Sequence, residues 1–188
     1  FTRVYGNEHY NNVLTGLNCA ALPILSPKGI AIGSINVTNE NPLNDPTVFF
    51  MLKACAKNIQ KQLIYSMPET LVIEMTLSSG QFGELTNLII GVGPDTSIVG
   101  CNEAAQRFLF NNCPVSNQKF QAIFDTPFSD VLDFGVRQQK IFKLRATSGV
   151  FLTAKVVQSF AQPKISNNPS VQSIPDHIEH QVDPVYFG

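Results

Sequence analysis

The sequence predicts an α+β fold built on antiparallel β-sheet. Hydrophobic residues make up 44% of the 188 residues and charged residues only 14%, so the chain can form a packed core. Short apolar segments are separated by turn sequences, which is typical of β-hairpins. Segments with helical periodicity fall between these hairpins rather than after every strand. That order favours α+β over a parallel α/β sheet.

The first predicted hairpin lies near the start of the chain. The apolar segment Asn18–Leu25 ends at Ser26–Gly29, whose sequence Ser-Pro-Lys-Gly is a strong reverse-turn signal. The returning segment Ile30–Val37 alternates between two sets of side chains, so at least one face of the hairpin is expected to be buried. A polar loop rich in Asn and Pro follows it.

A helix is predicted from about Asp45 to Leu63, with Asp45 as N-cap and Pro46 at the first helical position. Its apolar stripe consists of Val48, Leu52, Cys55, Ile59 and Leu63. The polar side carries Lys53, Lys57, Gln60 and Lys61. Such a stripe is expected to face a core, and the seam of a parallel dimer stays open as the alternative.

A connector is predicted over residues 67–83. Met67-Pro68 ends the helix, and Ser78–Gly83 has the composition of a flexible link. Between them, Leu71–Leu77 is rich in strand-forming residues.

The second predicted unit covers residues 84–162. It begins with a strand over 86–92, a turn over 93–96 and a returning strand over 97–101. Asn102 is the expected N-cap of a helix over Glu103–Asn111. The buried side of that helix is predicted to consist of Ala104, Ala105, Phe108 and Leu109.

Two short helical segments and a last hairpin complete this unit. The helical segments are predicted around Phe120–Phe124 and Phe128–Gln138. The hairpin pairs Lys140–Ala146 with Val150–Phe160. After Pro163 the sequence loses its periodicity, so residues 163–188 are expected to be a linker.

Composition and charge argue against several classes of protein. The net charge is −1 and the basic residues are scattered, so direct contact with nucleic acid is not expected. No apolar segment approaches the about 20 residues that span a bilayer. The cysteines lie far apart in sequence, which predicts buried thiols in a reducing cytoplasm: Cys19, Cys55, Cys101 and Cys113.

Catalytic and metal-binding patterns are weak. The sequence contains no phosphate-binding Gly-x-x-x-x-Gly-Lys-Ser/Thr and no Gly-x-Ser-x-Gly nucleophile elbow. Glu8-His9-Tyr10 is interpreted as a polar corner and His177-x-x-His180 as part of the solvated linker. We therefore predict no catalytic residues and no metal site, and a chain that is not an enzyme.

The order of motifs resembles a family of bacterial regulators. Strand, turn, strand and then Asn102-Glu-Ala-Ala105 is similar to the entry into the first helix of a PAS domain. Gly6–Tyr10, Cys19–Ile24 and Pro27–Gly29 resemble the closing half of a GAF domain. Both occur, in this order, in sigma-54-dependent activators of the acetoin-catabolism and dihydroxyacetone type.

That resemblance implies a domain organisation. A GAF-like C-terminal half would cover 1–66, a connector 67–83, a PAS domain 84–162 and a linker 163–188, leading to a AAA+ ATPase outside this chain. The implied partners are a homodimer mate and, through the full-length protein, sigma-54 polymerase. The chain departs from the family in having only the closing half of a GAF domain. It also shows four clear PAS strands where five are usual, and Leu71–Leu77 is a candidate for the fifth.

The resemblance also bears on cofactors and ligands. Residues 84–162 contain no histidine for a haem, and the helix after Asn102 lacks the cysteine of flavin-binding PAS domains, so no cofactor is predicted. A small-molecule signal remains an option, in an apolar pocket of the PAS-like unit. Its candidate lining residues, which would otherwise simply fill the core, are Ile90, Val92, Cys101, Phe108, Phe124, Leu132, Phe142 and Leu144.

Two functional hypotheses follow. In the first, the chain is a signal-sensing regulatory module that binds a small metabolite or relays a dimer rearrangement. In the second, it is a docking and dimerisation platform without a small-molecule ligand. A small enzyme is the third class, and no motif supports it.

Overall fold

The computed structural model describes residues 2–40, 46–77, 82, 87–113, 115 and 118–160. The strands are β1 (Thr2–Tyr5), β2 (Asn18–Leu25), β3 (Ala31–Asn39), β4 (Leu71–Thr76), β5 (Leu88–Val92), β6 (Ile98–Cys101), β7 (Phe142–Arg145) and β8 (Phe151–Gln158). The helices are α1 (Pro46–Tyr65), α2 (Glu103–Phe110), α3 (Phe120–Ile123) and α4 (Phe128–Asp130), which continues into a π-helical segment, Val131–Arg137.

These strands form two antiparallel sheets. The first has the order β1-β2-β3 and the second the order β6-β5-β4-β8-β7. The predicted class, α+β with antiparallel sheet, is confirmed. Within the described residues, no helix is long and apolar enough to cross a membrane.

The first sheet contains the predicted hairpin. β2 and β3 pair in register from Asn18 opposite Asn39 to Pro23 opposite Ser34, and a turn joins them after Leu25. The sequence did not predict β1, a strand of only four residues that pairs with the start of β2. One face of this sheet packs on α1, through Ala20, which is 2% exposed, and the half-buried Leu22 and Ile35.

Helix α1 begins at Pro46, as predicted, and extends two residues beyond the expected end at Leu63. Asp45, the predicted N-cap, lies outside the described residues. The buried line of the helix differs from the predicted stripe, because it follows a spacing of four throughout. It consists of the half-buried Val48 and Ala56 and the buried Leu52, Gln60 and Ile64.

The core-facing interpretation of the predicted stripe is therefore wrong at Cys55 and Ile59, whereas Leu63 is half-buried. The dimer-seam alternative for these residues stays a prediction. Cys55 is exposed and Ile59 is 37% exposed, whereas Gln60, which was predicted on the polar side, is only 3% exposed. This line of residues is buried because the two halves of the helix pack on different sheets. Val48 and Leu52 pack on the first sheet, and Ile64 packs on Val72 and Ile89 of the second.

Strand β4 lies at the centre of the second sheet, between β5 and β8. The connector predicted for residues 67–83 therefore contains a core strand, and all six of its residues are buried. The alternative raised from sequence, that Leu71–Leu77 supplies a fifth strand, agrees with the structure. The periodicity of a segment indicates a strand but does not show which strands it pairs with.

One face of the second sheet carries the main core. Leu71, Ile73 and Met75 of β4 are fully buried there. The helices that cover them contribute three aromatic rings: Phe120 stacks on Phe124 with ring centroids 4.6 Å apart, and Phe128 meets Phe120 edge-on at 5.1 Å. Such aromatic packing fills space and adds about 0.5–1.5 kcal/mol per pair beyond area burial.

The other face of β4 carries a buried carboxylate. Glu74 is 1% exposed, and its Oε1 accepts a hydrogen bond from Asn87 Nδ2 at 3.0 Å. Lys155, directly opposite on β8, places its Nζ 3.3 Å from Glu74 Oε2 and 4.4 Å from the centroid of the Phe82 ring. This pairing satisfies a charge that would otherwise be costly to bury.

The remaining predicted elements of this unit are present. Asn102 caps α2, the two short helical segments occur at 120–123 and 128–137, and β7 and β8 form the last hairpin. The predicted buried side of α2 is wrong at Phe108, which is 39% exposed, because Phe110 enters the core instead. The segment predicted as a linker, 163–188, lies outside the described residues.

The prediction of buried cysteines holds for Cys101 alone. Cys55 and Cys113 are exposed, and Cys19 is half-buried. Cys101 is enclosed because it ends β6 at the main core. Cys55 lies on an exposed face of α1, and Cys113 lies in a loop after α2. Cys19 lies on the outer face of the first sheet.

Candidate functional site at the junction of the two sheets

The turn between β2 and β3 docks on the edge of the second sheet. The backbone N–H of Cys101, at the end of β6, donates to the carbonyl oxygen of Pro27 at 2.8 Å. Gly100 permits this approach, because a Cβ there would lie 2.7 Å from Pro27 Cβ and 3.1 Å from Met67 Sδ. The turn predicted from Ser26–Gly29 is thus also a contact element, which its sequence does not indicate.

Gln60 of α1 joins three elements with one side chain. Its Nε2 donates to the carbonyl oxygen of Ser26 at 3.2 Å, and its Oε1 accepts from the backbone N–H of Glu103 at 3.0 Å. The first bond holds the β2–β3 turn and the second holds the start of α2. A buried amide with both ends paired fixes the distance between its partners, since either unpaired group would be left without water.

Asn102 holds α2 to the neighbouring strand. Its Oδ1 accepts from the backbone N–H of Ala105 at 2.9 Å and from that of Ile89 at 3.0 Å. Its Nδ2 donates to the carbonyl oxygen of Asn87 at 2.7 Å. The sequence predicts Asn102 as a helix cap, and the structure adds its attachment to β5.

A small open cleft lies beside this network, lined by Lys57, Gln60, Lys61, Ile89, Asn102, Glu103 and Ala104. Protein acceptors already hold the backbone N–H groups of Glu103, Ala105 and Gln106 at the start of α2. Those three groups are therefore not available to an anion. Because Gln60 bonds to both elements, displacement of α1 would change the positions of the turn and of α2 together.

Tyr65 is the last residue of α1. Burial, and to a lesser extent the negative charge of Glu74, raise the pKa of the Tyr65 hydroxyl well above its usual range. The Lys61 Nζ lies 5.4 Å from the centroid of its ring. The C-terminal end of α1 is thus packed against the polar face of the second sheet by a neutral phenol.

Most candidate ligand-lining residues belong to the main core. Six are buried there: Ile90, Val92, Cys101, Phe124, Phe142 and Leu144. Leu132 is half-buried against the same core, and Phe108 is the exposed exception. Burial raises the pKa of the Cys101 thiol to about 12, so at neutral pH it is protonated and poorly nucleophilic. These residues come together, and their role as a ligand pocket stays a prediction.

The four candidate residues on α1 separate into a core-facing pair and an exposed pair. Val48 and Leu52 pack on the first sheet, which agrees with the core alternative for the helix, whereas Cys55 and Ile59 face outward. His177 and His180 lie outside the described residues. Within the part of the chain that the structure describes, no three His, Cys, Asp or Glu side chains cluster as a metal site would require.

Comparison with solved structures gives a weak similarity. No protein-family profile matches the chain, and no curated protein matches it significantly. Among solved structures, the chain resembles the crystal structure of the Escherichia coli DhaR(N)–DhaL complex with a TM-score of 0.27 and 12% sequence identity. The match covers 82% of this chain and 60% of that one, so the chain spans less than two thirds of the solved chain.

The junction predicts a specific cost for losing the Gln60 amide. Gln60→Ala leaves the Ser26 carbonyl and the Glu103 N–H without their partner, so we expect the free energy of unfolding to fall by about 1–3 kcal/mol. Urea unfolding followed by circular dichroism measures it. Gln62→Ala, on an exposed position of the same helix, is the matched control and should change the free energy by about 0.5 kcal/mol or less. Equal effects of the two substitutions would contradict the assigned role of Gln60.

Proposed function

We propose that this chain is the signal-input region of a bacterial transcription regulator of the sigma-54-dependent type. The single observation that supports it best is the Gln60 junction, where one helix side chain holds both the hairpin turn of the first sheet and the start of α2. In this proposal the first sheet is the GAF-like part and the second is the PAS-like domain. The proposal assigns no catalytic activity and no resident cofactor.

The relay in this proposal is a population shift between two positions of α1. A signal that binds one sheet must prefer one position by its own interaction energy, because equal affinity for both states shifts nothing. Since α1 packs on the first sheet through Leu52 and on the second through Ile64, its movement changes both contacts. The helix is therefore the element through which a signal would pass to AAA+ output domains and sigma-54 polymerase.

A homodimer is part of this proposal, and the outward face of α1 is its proposed interface. That face exposes Met51 to 62% and Ile59 to 37%, with the exposed Cys55 between them at a spacing of four residues on either side. Residues four apart lie on one side of a helix, so these three could face the same helix of a partner. A parallel pair would use the opposite side of α1 from the junction, so that dimer rearrangement and junction movement are mechanically linked.

The filled core favours a second candidate function. Phe120, Phe124 and Phe128 occupy the space above the sheet in contact with one another. A metabolite entering there must displace at least one ring, which costs packing energy. A docking and dimerisation platform that binds another protein, and no small molecule, has no such cost.

A thermal-shift screen distinguishes the two candidates. Small diols, hydroxyketones, short-chain acids and aromatics are the probes. A compound at 100 times its Kd adds about 2.7 kcal/mol and raises the Tm by roughly 5–10 °C for a chain of this size. We expect a saturable shift with one class, reduced in Leu132→Phe and kept in the exposed control Phe151→Ala. A flat response to every class would contradict a metabolite sensor and favour the docking platform.

The dimer is tested by cross-linking at Cys55. In a parallel pair the two Cys55 thiols face each other, so mild oxidation is expected to give a disulfide-linked dimer on non-reducing gels. Cys55→Ser should abolish it, while Cys113→Ser, at another exposed cysteine, should not. Sedimentation equilibrium should show a monomer for Ile59→Glu and the wild-type dimer for Val13→Glu, a surface control that is 85% exposed. A wild-type monomer at concentrations of tens of micromolar would contradict the proposed interface.

A further inference from the structure

The outer face of the first sheet carries a cysteine, a histidine and a threonine in contact. Cys19 on β2 lies opposite Val4 of β1 and Thr38 of β3. Because side chains alternate along a strand, Cys19 points away from α1, towards which its neighbour Ala20 is directed. His9, from the segment after β1, comes back to this outer face.

The histidine is held in one orientation by the backbone. His9 Nδ1 lies 2.8 Å from the carbonyl oxygen of Gly6, and His9 Nε2 lies 3.5 Å from Cys19 Sγ. A carbonyl oxygen can only accept, so Nδ1 carries the proton in this contact. Nε2 is then the ring nitrogen that can take a proton from the thiol. This is the arrangement of an activated nucleophile: a thiol, a base, and a third group that orients the base.

Thr38 completes the surroundings of the sulfur. Its Oγ1 lies 3.3 Å from Cys19 Sγ and can donate to a thiolate. The hydrogen bonds from Thr38 and His9 lower the pKa of the Cys19 thiol. The hydrogen bond to Cys19 and then that to Gly6 raise the pKa of the His9 imidazole, to which the Glu8 carboxylate adds a little. Both directions favour a thiolate paired with an imidazolium.

Glu8, the residue before His9, carries the nearest described charge on this segment, and its carboxylate is already hydrogen-bonded. Glu8 Oε2 accepts from the backbone N–H of Tyr5 at 2.8 Å. Arg3 lies on the opposite face of β1, where its Nη1 donates to the Tyr5 hydroxyl at 3.0 Å. On the outer face, the side chains opposite Cys19 are Val4 and Thr38, neither of which ionises.

We propose that Cys19 is a reactive thiol, activated by His9 and Thr38, that hydroperoxides oxidise to a sulfenic acid. In this step the thiol proton passes to His9 Nε2. The sulfur attacks the terminal oxygen of the hydroperoxide, the O–O bond breaks, and the sulfur is oxidised by two electrons. The alkoxide leaving group takes the proton from His9 and departs as an alcohol, or as water when the oxidant is hydrogen peroxide. The inference goes beyond the proposed function, because it rests on the geometry of one sheet alone.

The chain supplies its own controls. Cys55 and Cys113 are more exposed than Cys19, so accessibility alone would make them react first. Neither has a described contact with a histidine. Cys101 is buried in the core and serves as the unreactive reference.

The first experiment measures thiol alkylation site by site. The purified chain is treated with iodoacetamide at pH 7.0 and pH 6.0, and each cysteine is quantified by peptide mass spectrometry. We expect Cys19 to react severalfold faster than Cys55 or Cys113 at pH 7.0, since a lowered thiol pKa raises the fraction present as thiolate. Its advantage should persist at pH 6.0. A Cys19 rate at or below that of Cys55 would overturn the proposal.

Substitution of the base tests its role directly. His9→Gln should slow Cys19 alkylation severalfold and leave Cys55 unchanged. Thr38→Val should also slow it, since the hydrogen bond to Thr38 is the larger contribution to the lowered thiol pKa, and it provides a second variant should His9→Gln lower the Tm. Unchanged Cys19 rates in both folded variants would contradict activation by these residues.

The second experiment tests the oxidant. The chain is exposed to hydrogen peroxide and to cumene hydroperoxide, and sulfenic acid is trapped with dimedone. We expect the label on Cys19 in the wild type and not on Cys19 in His9→Gln. Rapid alkylation without dimedone labelling at Cys19 would overturn the hydroperoxide step. Neither result depends on the outcome of the metabolite screen or of the Cys55 cross-linking.

Discussion

Gln60, on the helix that packs on both sheets, is 3% exposed, and its primary amide must find a donor and an acceptor inside the protein. It finds them on two different units, the carbonyl of Ser26 and the N–H of Glu103. One shared pair of hydrogen bonds therefore fixes α1 relative to the hairpin turn and to the start of α2, in addition to the Cys101–Pro27 bond and the bonds of Asn102. Apolar contacts also hold these elements together, but such contacts are not directional and would permit small displacements.

The rest of the architecture is arranged around that constraint. Leu52 anchors α1 on the first sheet and Ile64 anchors it on the second, one on either side of Gln60. The first sheet has few fully buried residues of its own, Ala20 being the clearest, and so depends on this helix for stability. In a region with one strong core and one weaker sheet attached through a helix, the weaker part can shift without unfolding the stronger.

Local patterns in the sequence were sufficient for much of the fold. The hairpin with its Ser26–Gly29 turn, the Asn102 cap and the last hairpin each have turn or capping residues next to the elements that they define. Such signals act over a few residues and need no knowledge of the tertiary structure. The α+β class followed from their order.

Tertiary contacts decided the rest. Beyond Leu52, the hydrophobic spacing of α1 predicted Cys55 and Ile59 as its core-facing residues. The structure selects Ala56 and Gln60, since partners distant in sequence satisfy the amide.

Pairing between distant segments also limited what could be predicted for β4 and for the Cys19–His9 contact. β4 was predicted as β-like but placed within a connector, because its neighbours β5 and β8 are set by pairing between segments far apart in the chain. The Cys19–His9 contact was missed for a related reason. A polar corner shows its chemistry only when the sheet brings the two side chains together.

Native-state hydrogen exchange tests the coupling of the two sheets most directly. The decisive amides are Cys101, bonded to the Pro27 carbonyl, and Glu103, bonded to Gln60. We expect both amides to be protected in the wild type. In Gln60→Ala we expect faster exchange at Glu103 and Cys101, while Ile90, inside the second sheet, keeps its protection. Unchanged exchange at Glu103 and Cys101 in that variant would contradict the claim that this side chain couples the sheets.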